Sequence, residues 1–160
     1  MERNDIISTL RGRADEAQAI CAGLSDEEMR RRPAEGEWSL LEICCHLRDT
    51  ASEEGVRIRR MVEEDNPTLP LYDQDVWAAE RNYAAEDPGR AFVGLRAFWN
   101  GLAYLLEGLS DEDWSRPGVH PEAGSVTVQP WAAAEVRHTA EHLEQMRAVR
   151  EAIRPANPPE

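Results

Sequence analysis

Apolar residues return every three or four positions in four separate stretches of the chain, the period of helices that each bury one face. In the first stretch, from about Asn4 to Gly23, the stripe is Ile6, Leu10, Ala14, Ala17, Ile20 and Leu24, and Gly23 is placed to stop it. The second begins at "GEWSLLEI". There Ser39 can cap the N–H of Glu42, whose carboxylate can return the bond to Ser39's own N–H. Trp38 and Ile43 have the spacing of a hydrophobic staple across that cap. The stripe continues through Leu40, Leu47, Ala51, Ile58 and Met61. The third opens with Asp87 as cap and Pro88 at the first helical position, where its missing N–H costs nothing. Phe92, Leu95, Trp99, Leu102, Leu106 and Leu109 give it an unbroken apolar face. Thr127 is placed to cap the fourth, which tolerates Pro130 in its first turn and runs to about Ile153.

Between the second and third stretches lies a long connection, "EEDNPTLPLYDQD", and a short helix-like piece, "VWAAERNYA". "SDEDWSRPGVHPEAGS" reads as a loop before the fourth helix, and no strand pattern competes with these assignments. The pattern predicts an all-α fold, a four-helix bundle with one long crossover between helices two and three. Residues 1–153 are read as one domain, and 154–160 as a Pro-rich tail expected to fray.

Composition narrows the function classes. At 160 residues the chain can bury a real core without staples. Its net charge of −13 argues against nucleic acid and anionic membranes as partners. All 18 basic residues are arginine, which excludes Schiff-base chemistry, pyridoxal phosphate and a P-loop lysine. Three cysteines, with Cys44 and Cys45 adjacent, make no disulfide framework, and no run suits a membrane span or a signal peptide. A cytoplasmic protein is expected, acting on a small molecule, with a homodimer as the assembly to look for.

The candidate chemistry lies in "EVRHTAEHLEQM". On a wheel of about 100° per residue centred on His138, Trp131 and Val149 fall near 20°, His142 near 40° and Glu135 near 60°. The seam is apolar at its ends and polar in the middle. One buried histidine is ordinarily a satisfied core residue. Two at i and i+4 can converge on one point, and a metal ion would satisfy both nitrogens at once. A third ligand would have to come from elsewhere. His120 sits in a Pro/Gly loop, where exposure is the default. His46 lies about 60° from Ile43, at the edge of the second stripe, a position that permits it to face the bundle without requiring it. Glu54 falls near the middle of that stripe and reads as an end-of-core residue reaching solvent. Glu135, Glu141 and Glu54 are the carboxylates able to orient an imidazole. No catalytic residue is assigned, Glu135 and Glu54 being the candidates.

"GEWSLLEICCHLRD" taken with "HTAEHLEQM" resembles the DinB/YfiT-like superfamily of bacterial metalloproteins, and "YDQDVWAAERNY" and "GVHPEAGSVTV" are similar to one of its branches. The resemblance implies a four-helix bundle holding one divalent metal ion, zinc or nickel, on His46, His138 and His142. It gives Gln145 a place in the pattern without a role. It also implies an enzyme of small molecules, a low-molecular-weight-thiol S-transferase or a hydrolase, with a bacterial thiol as co-substrate in the first case. The alternative is a non-catalytic metal-binding or stress-response interaction protein.

Three other features have readings of their own. Cys44 belongs to the apolar side of its helix, whereas Cys45 would point almost opposite Ile43 and has no claim on a metal. "RRRP" at 30–33 reads as a solvated charge run rather than an anion clamp. Asp73, Trp77 and Arg81, at i, i+4 and i+8, would form an ion pair over an aromatic ring and either fasten the crossover or wall one side of a pocket.

Overall fold

A computed structural model describes residues 1–154, which leaves the expected tail, apart from Arg154, outside the described residues. Four long helices form the body: α1 (Arg3–Cys21), α3 (Leu40–Glu63), α5 (Pro88–Glu107) and α6 (Val128–Ile153). Two short ones, α2 (Asp26–Arg30) and α4 (Gln74–Glu80), lie in the connections. Each of α1 and α3 packs against both α5 and α6. Helices one and two of the bundle therefore sit across its diagonal, and the long connection brings helix three in beside helix two.

The local signals behave as their chemistry requires. Ser39 and Glu42 exchange the two bonds of a capping box at the start of α3, and Arg32 adds a bidentate pair to the Glu42 carboxylate. Asp87 accepts from the Arg90 N–H, with Pro88 opening α5. Gly23, with φ of +76°, follows the end of α1. Thr127 occupies the cap position of α6, but its side chain makes no capping bond. Ser39→Ala is expected to lower stability by about 1 kcal/mol or somewhat more, because the cap is buried and the Glu42 carboxylate loses its fixed position. Urea denaturation measures this.

Two elements depart from the sequence reading. "SDEEM" forms α2 with a capping box of its own between Ser25 and Glu28; with Met29 alone buried, it has no stripe for periodicity to find. The expected loop at 110–125 contains an antiparallel hairpin, β1 (Pro117–His120) and β2 (Gly124–Thr127), closed at Gly124 with φ of +75°. Its outer edge pairs with the crossover: the Leu69 N–H donates to the Val119 carbonyl at 2.8 Å, and the Val119 N–H to the Pro67 carbonyl at 2.9 Å. Gly118 lies so close to Met61 that a β-carbon there would meet its Cγ at 2.8 Å. Strands this short hold their place by such contacts and show no alternation a sequence could reveal.

The crossover is fastened at Asp49 on α3. Its carboxylate accepts from Arg48 (2.7 Å), Arg81 (2.6 Å) and the Tyr83 hydroxyl (2.7 Å). The Arg81 guanidinium lies 3.6 Å from the centre of the Trp77 ring, which in turn stacks on Tyr72 at 4.2 Å. Fastening is thus the role of the expected face, with a change of partner. Arg81 pairs with Asp49, and Asp73 instead caps α4 through the Asp75 and Val76 N–H groups.

Candidate metal centre

The first two turns of α3 are buried on every side, from Leu40 to Leu47. This brings Cys45 inside as well as Cys44, contrary to the wheel, and burial pushes the Cys45 thiol up to about 12. Such a thiol stays protonated and inert. In the same turns His46 is buried, with the Trp38 ring tilted over its own at 5.1 Å between centroids. The staple residue therefore packs on the histidine.

On α6, one turn apart, His138 and His142 turn toward His46. The Nε2 atoms of His46 and His142 are 3.1 Å apart, and those of His142 and His138 are 3.0 Å apart. The opposite nitrogens are taken. His138 Nδ1 donates to Glu135 Oε1 at 3.3 Å, and His142 Nδ1 donates to Gln145 Oε1 at 2.8 Å. With both Nδ1 atoms occupied, the facing Nε2 atoms are satisfied either by one proton shared between them, which the raised pKa of His138 favours, or by a cation that both bind.

Electrostatics keeps most of this cluster neutral. Burial, reinforced by His142 and His138, takes the His46 pKa down to about 3. Burial and the neighbouring His138 lower His142, against the pull of Gln145. At His138 burial also acts downward, but the bond to Glu135 and the charges of Glu135, Glu54 and Glu141 outweigh it and raise the pKa. The donor set suits a divalent cation. Imidazole nitrogens bound tetrahedrally at about 2.0–2.1 Å stand about 3.3 Å apart, little more than the spacings here. The three residues could hold one ion, with Glu135 and Gln145 fixing the rings that would face it.

Among the described residues, two cavities reach the cluster. One of about 530 Å³ opens on His142 beside Trp38 and Gln145. A smaller one of about 200 Å³ meets His138 between Tyr72, Trp131, Glu54 and Glu135. Glu54, read as reaching solvent, is instead 3% exposed. It accepts from Arg57 at 2.7 Å and from the Trp131 indole N–H, and burial together with the Glu135 charge raises its pKa to about 7. Arg57 escaped the sequence reading, although an arginine three residues after a mid-stripe glutamate signals an internal pair. His120, expected to be exposed, is buried. The turn of the hairpin folds its Glu122 and Ala123 N–H groups onto His120 Nδ1, and the ring packs 5.1 Å from that of Trp131. It packs on Trp131, a wall of the smaller cavity, and stands outside the three-histidine cluster. The "RRRP" arginines are spent on local partners, Arg30 on the Ala84 carbonyl, Arg31 on Glu27 and Arg32 on Glu42.

A four-helix bundle that gathers three imidazoles from two facing helices, with cavities open to them, belongs to a recognisable class of helical proteins equipped to bind metal. The chain belongs to the DinB superfamily, whose pattern residues 9–146 match. It is 29% identical to a Geobacillus kaustophilus protein named "Putative metal-dependent hydrolase", over 93% of this chain and 84% of that one. Its fold is similar to that of YfiT from Bacillus subtilis, described as "a probable metal-dependent hydrolase with an unusual four-helix bundle topology". The TM-score is 0.85 at 19% identity, covering 92% of this chain and 85% of YfiT. It is also similar to the mycothiol-dependent maleylpyruvate isomerase, with a TM-score of 0.74 at 12% identity over 91% of this chain and 61% of that one. Among the described residues no helix is long and apolar enough to cross a membrane.

Proposed function

We propose that His46, His138 and His142 hold one divalent ion, zinc or nickel, and that the protein is a cytoplasmic enzyme using it on a small molecule. The observation that carries this reading is the convergence of three imidazoles, with Nε2 atoms 3.0 Å apart on His138 and His142 and 3.1 Å apart on His142 and His46. A bound divalent ion with open positions supplies Lewis acidity, which lowers the pKa of a thiol or of water. The rest falls to the side chains. Glu135 and Gln145 hold two rings in the tautomer that aims Nε2 at the centre. Trp38 shields His46 from water, and Glu54, pinned by Arg57 and Trp131, keeps a carboxyl group within the smaller cavity that His138 borders.

Two cavities on one cluster favour a reaction between two molecules, and transfer to or from a low-molecular-weight thiol is the form we favour. The likeness to a mycothiol-dependent isomerase supports a thiol as one reactant. The second reading, water as the nucleophile, is favoured by the names of the relatives. Cobalt-loaded protein tests the choice. Low-molecular-weight thiols are expected to add a sulfur charge-transfer band, whereas an unchanged spectrum with every thiol would leave hydrolysis as the enzymatic reading.

Metal affinity is expected to fall as pH drops. His138, held above the ordinary histidine value by Glu135, takes up a proton first, and a protonated imidazole cannot bind. Glu135→Gln removes the charge that raises this pKa, so the fall moves to lower pH, while plateau affinity weakens by about 10–100-fold through the lost orientation. Calorimetric titrations at several pH values measure both effects.

A further inference from the structure

The cavity of about 530 Å³ that opens on His142 has walls whose charge is one-sided. The loop before α3 supplies Pro33, Gly36, Glu37 and Trp38; α4 supplies Gln74 and Asp75; α6 supplies Gln145, Ala148, Val149 and Ala152. No arginine lines it. Among the described residues neither Glu37 nor Asp75, both exposed, has an ion pair or accepts a side-chain hydrogen bond; Arg30 at the end of α2 and Arg31 just after it are engaged elsewhere, and Arg32, which shares a neighbouring hollow with Asp75, is held by Glu42. Nor is Asp75 needed to cap α4, a task Asp73 performs. Two carboxylates left without a cation thus line a cavity that His142 also lines and whose remaining walls are apolar or neutral.

We propose that this cavity admits one of the reactants and selects one carrying a positively charged nitrogen at the end remote from its reacting group, while anionic molecules are turned away. An ammonium or guanidinium group would meet Glu37 and Asp75. An aliphatic middle would lie along Trp38, Ala148 and Val149, and the reacting group would reach the histidines. In a chain of net charge −13 the wider field acts in the same direction. The inference rests on the proposed metal reading only for the chemistry at the histidines. The charge preference belongs to the cavity itself.

The test separates the two. In the first arm, hexylammonium and hexanoate are titrated at low salt into the metal-free protein, with binding followed by NMR at the Trp38 indole N–H and the Gln145 side-chain amide. Hexylammonium is expected to bind about tenfold more tightly than hexanoate, and the ratio to approach one in the double variant E37Q/D75N and at high salt, where exposed charges are screened. Equal affinities, a ratio unmoved by the double variant, or shifts at neither reporter would overturn the inference. In the second arm, 6-aminohexane-1-thiol, 6-mercaptohexan-1-ol and 6-mercaptohexanoate are titrated into cobalt-loaded protein. The same order is expected in the growth of the sulfur charge-transfer band. The charge preference in the first arm without any band in the second would keep the cavity assignment and refute thiol coordination.

Discussion

His142→Ala should reduce affinity for a divalent ion by at least about a hundredfold while leaving the protein folded. His142 lies between the other two, its Nε2 3.1 Å from that of His46 and 3.0 Å from that of His138, so its loss dissolves the cluster rather than trimming its edge. The fold should tolerate the change. The core is assembled from the apolar stripes of α1, α3, α5 and α6, and the His142 ring is half-buried at the margin of a cavity. Chelation of the parent protein should for the same reason shift its melting temperature modestly and leave its helical circular dichroism intact. His120→Ala serves as the control, since that ring packs on Trp131 away from the cluster and bound metal should be retained. Elemental analysis after dialysis against limiting zinc or nickel decides the matter. Equal metal loss from both variants would show that the third ligand has been misassigned.

The second large effect lies outside the histidines. Asp49→Ala should destabilise the protein by about 3 kcal/mol, the lower end of what breaking a buried ion pair costs. The lower end applies because Arg81, 44% exposed, can turn to water and Arg48 keeps its ion pair with Glu86 at 3.1 Å, whereas the buried Tyr83 hydroxyl loses its partner. The sign of the pH dependence follows from Asp49 itself. Burial alone would raise its pKa, but Arg48, Tyr83 and Arg81 outweigh burial and hold it below its ordinary value of 3.8. Its contribution is therefore present at neutral pH and disappears as pH falls below that value. Urea denaturation of the parent and the variant should give curves that differ at pH 7 and approach one another in strong acid. With the Asp49 clasp released, Arg81, Trp77 and Tyr72 lose their anchor, so the wall of the smaller cavity should loosen too. Hydrogen exchange in α4 reports this, and unchanged protection there would place the anchor elsewhere.

Much of this was legible because each long helix carries its own signals. Ser39 with Glu42, and Asp87 with Pro88, marked the starts of α3 and α5 from a few neighbouring residues. The wheel of α6 placed His138, His142 and Glu135 on one seam, as found. His46 was harder. At the edge of its stripe it was free to face either way, and the family resemblance chose the direction that the fold realises. The misses share a cause, since each depends on contacts between residues remote in sequence. Cys45 is buried because α3 is covered on all sides at its start, which no single-helix wheel can register. Glu54 turned inward because Trp131, on another helix, and Arg57 meet its carboxylate. His120 was drawn in by a hairpin whose strands are pinned to Pro67 and Leu69 on the crossover. Gln145 gained its place only when His142 had a definite orientation.

Three imidazoles from α3 and α6 should hold one divalent ion and leave part of its coordination to the cavities. The most direct measurement is a crystal structure of zinc- or nickel-loaded protein with anomalous scattering collected at the metal edge. The expected result is a single peak per chain bonded to Nε2 of His46, His138 and His142, with Nδ1 of His138 on Glu135, Nδ1 of His142 on Gln145, and at least one position open to solvent. A peak elsewhere, bonding through Nδ1, or a coordination sphere closed by Glu54 or Glu135 would contradict it.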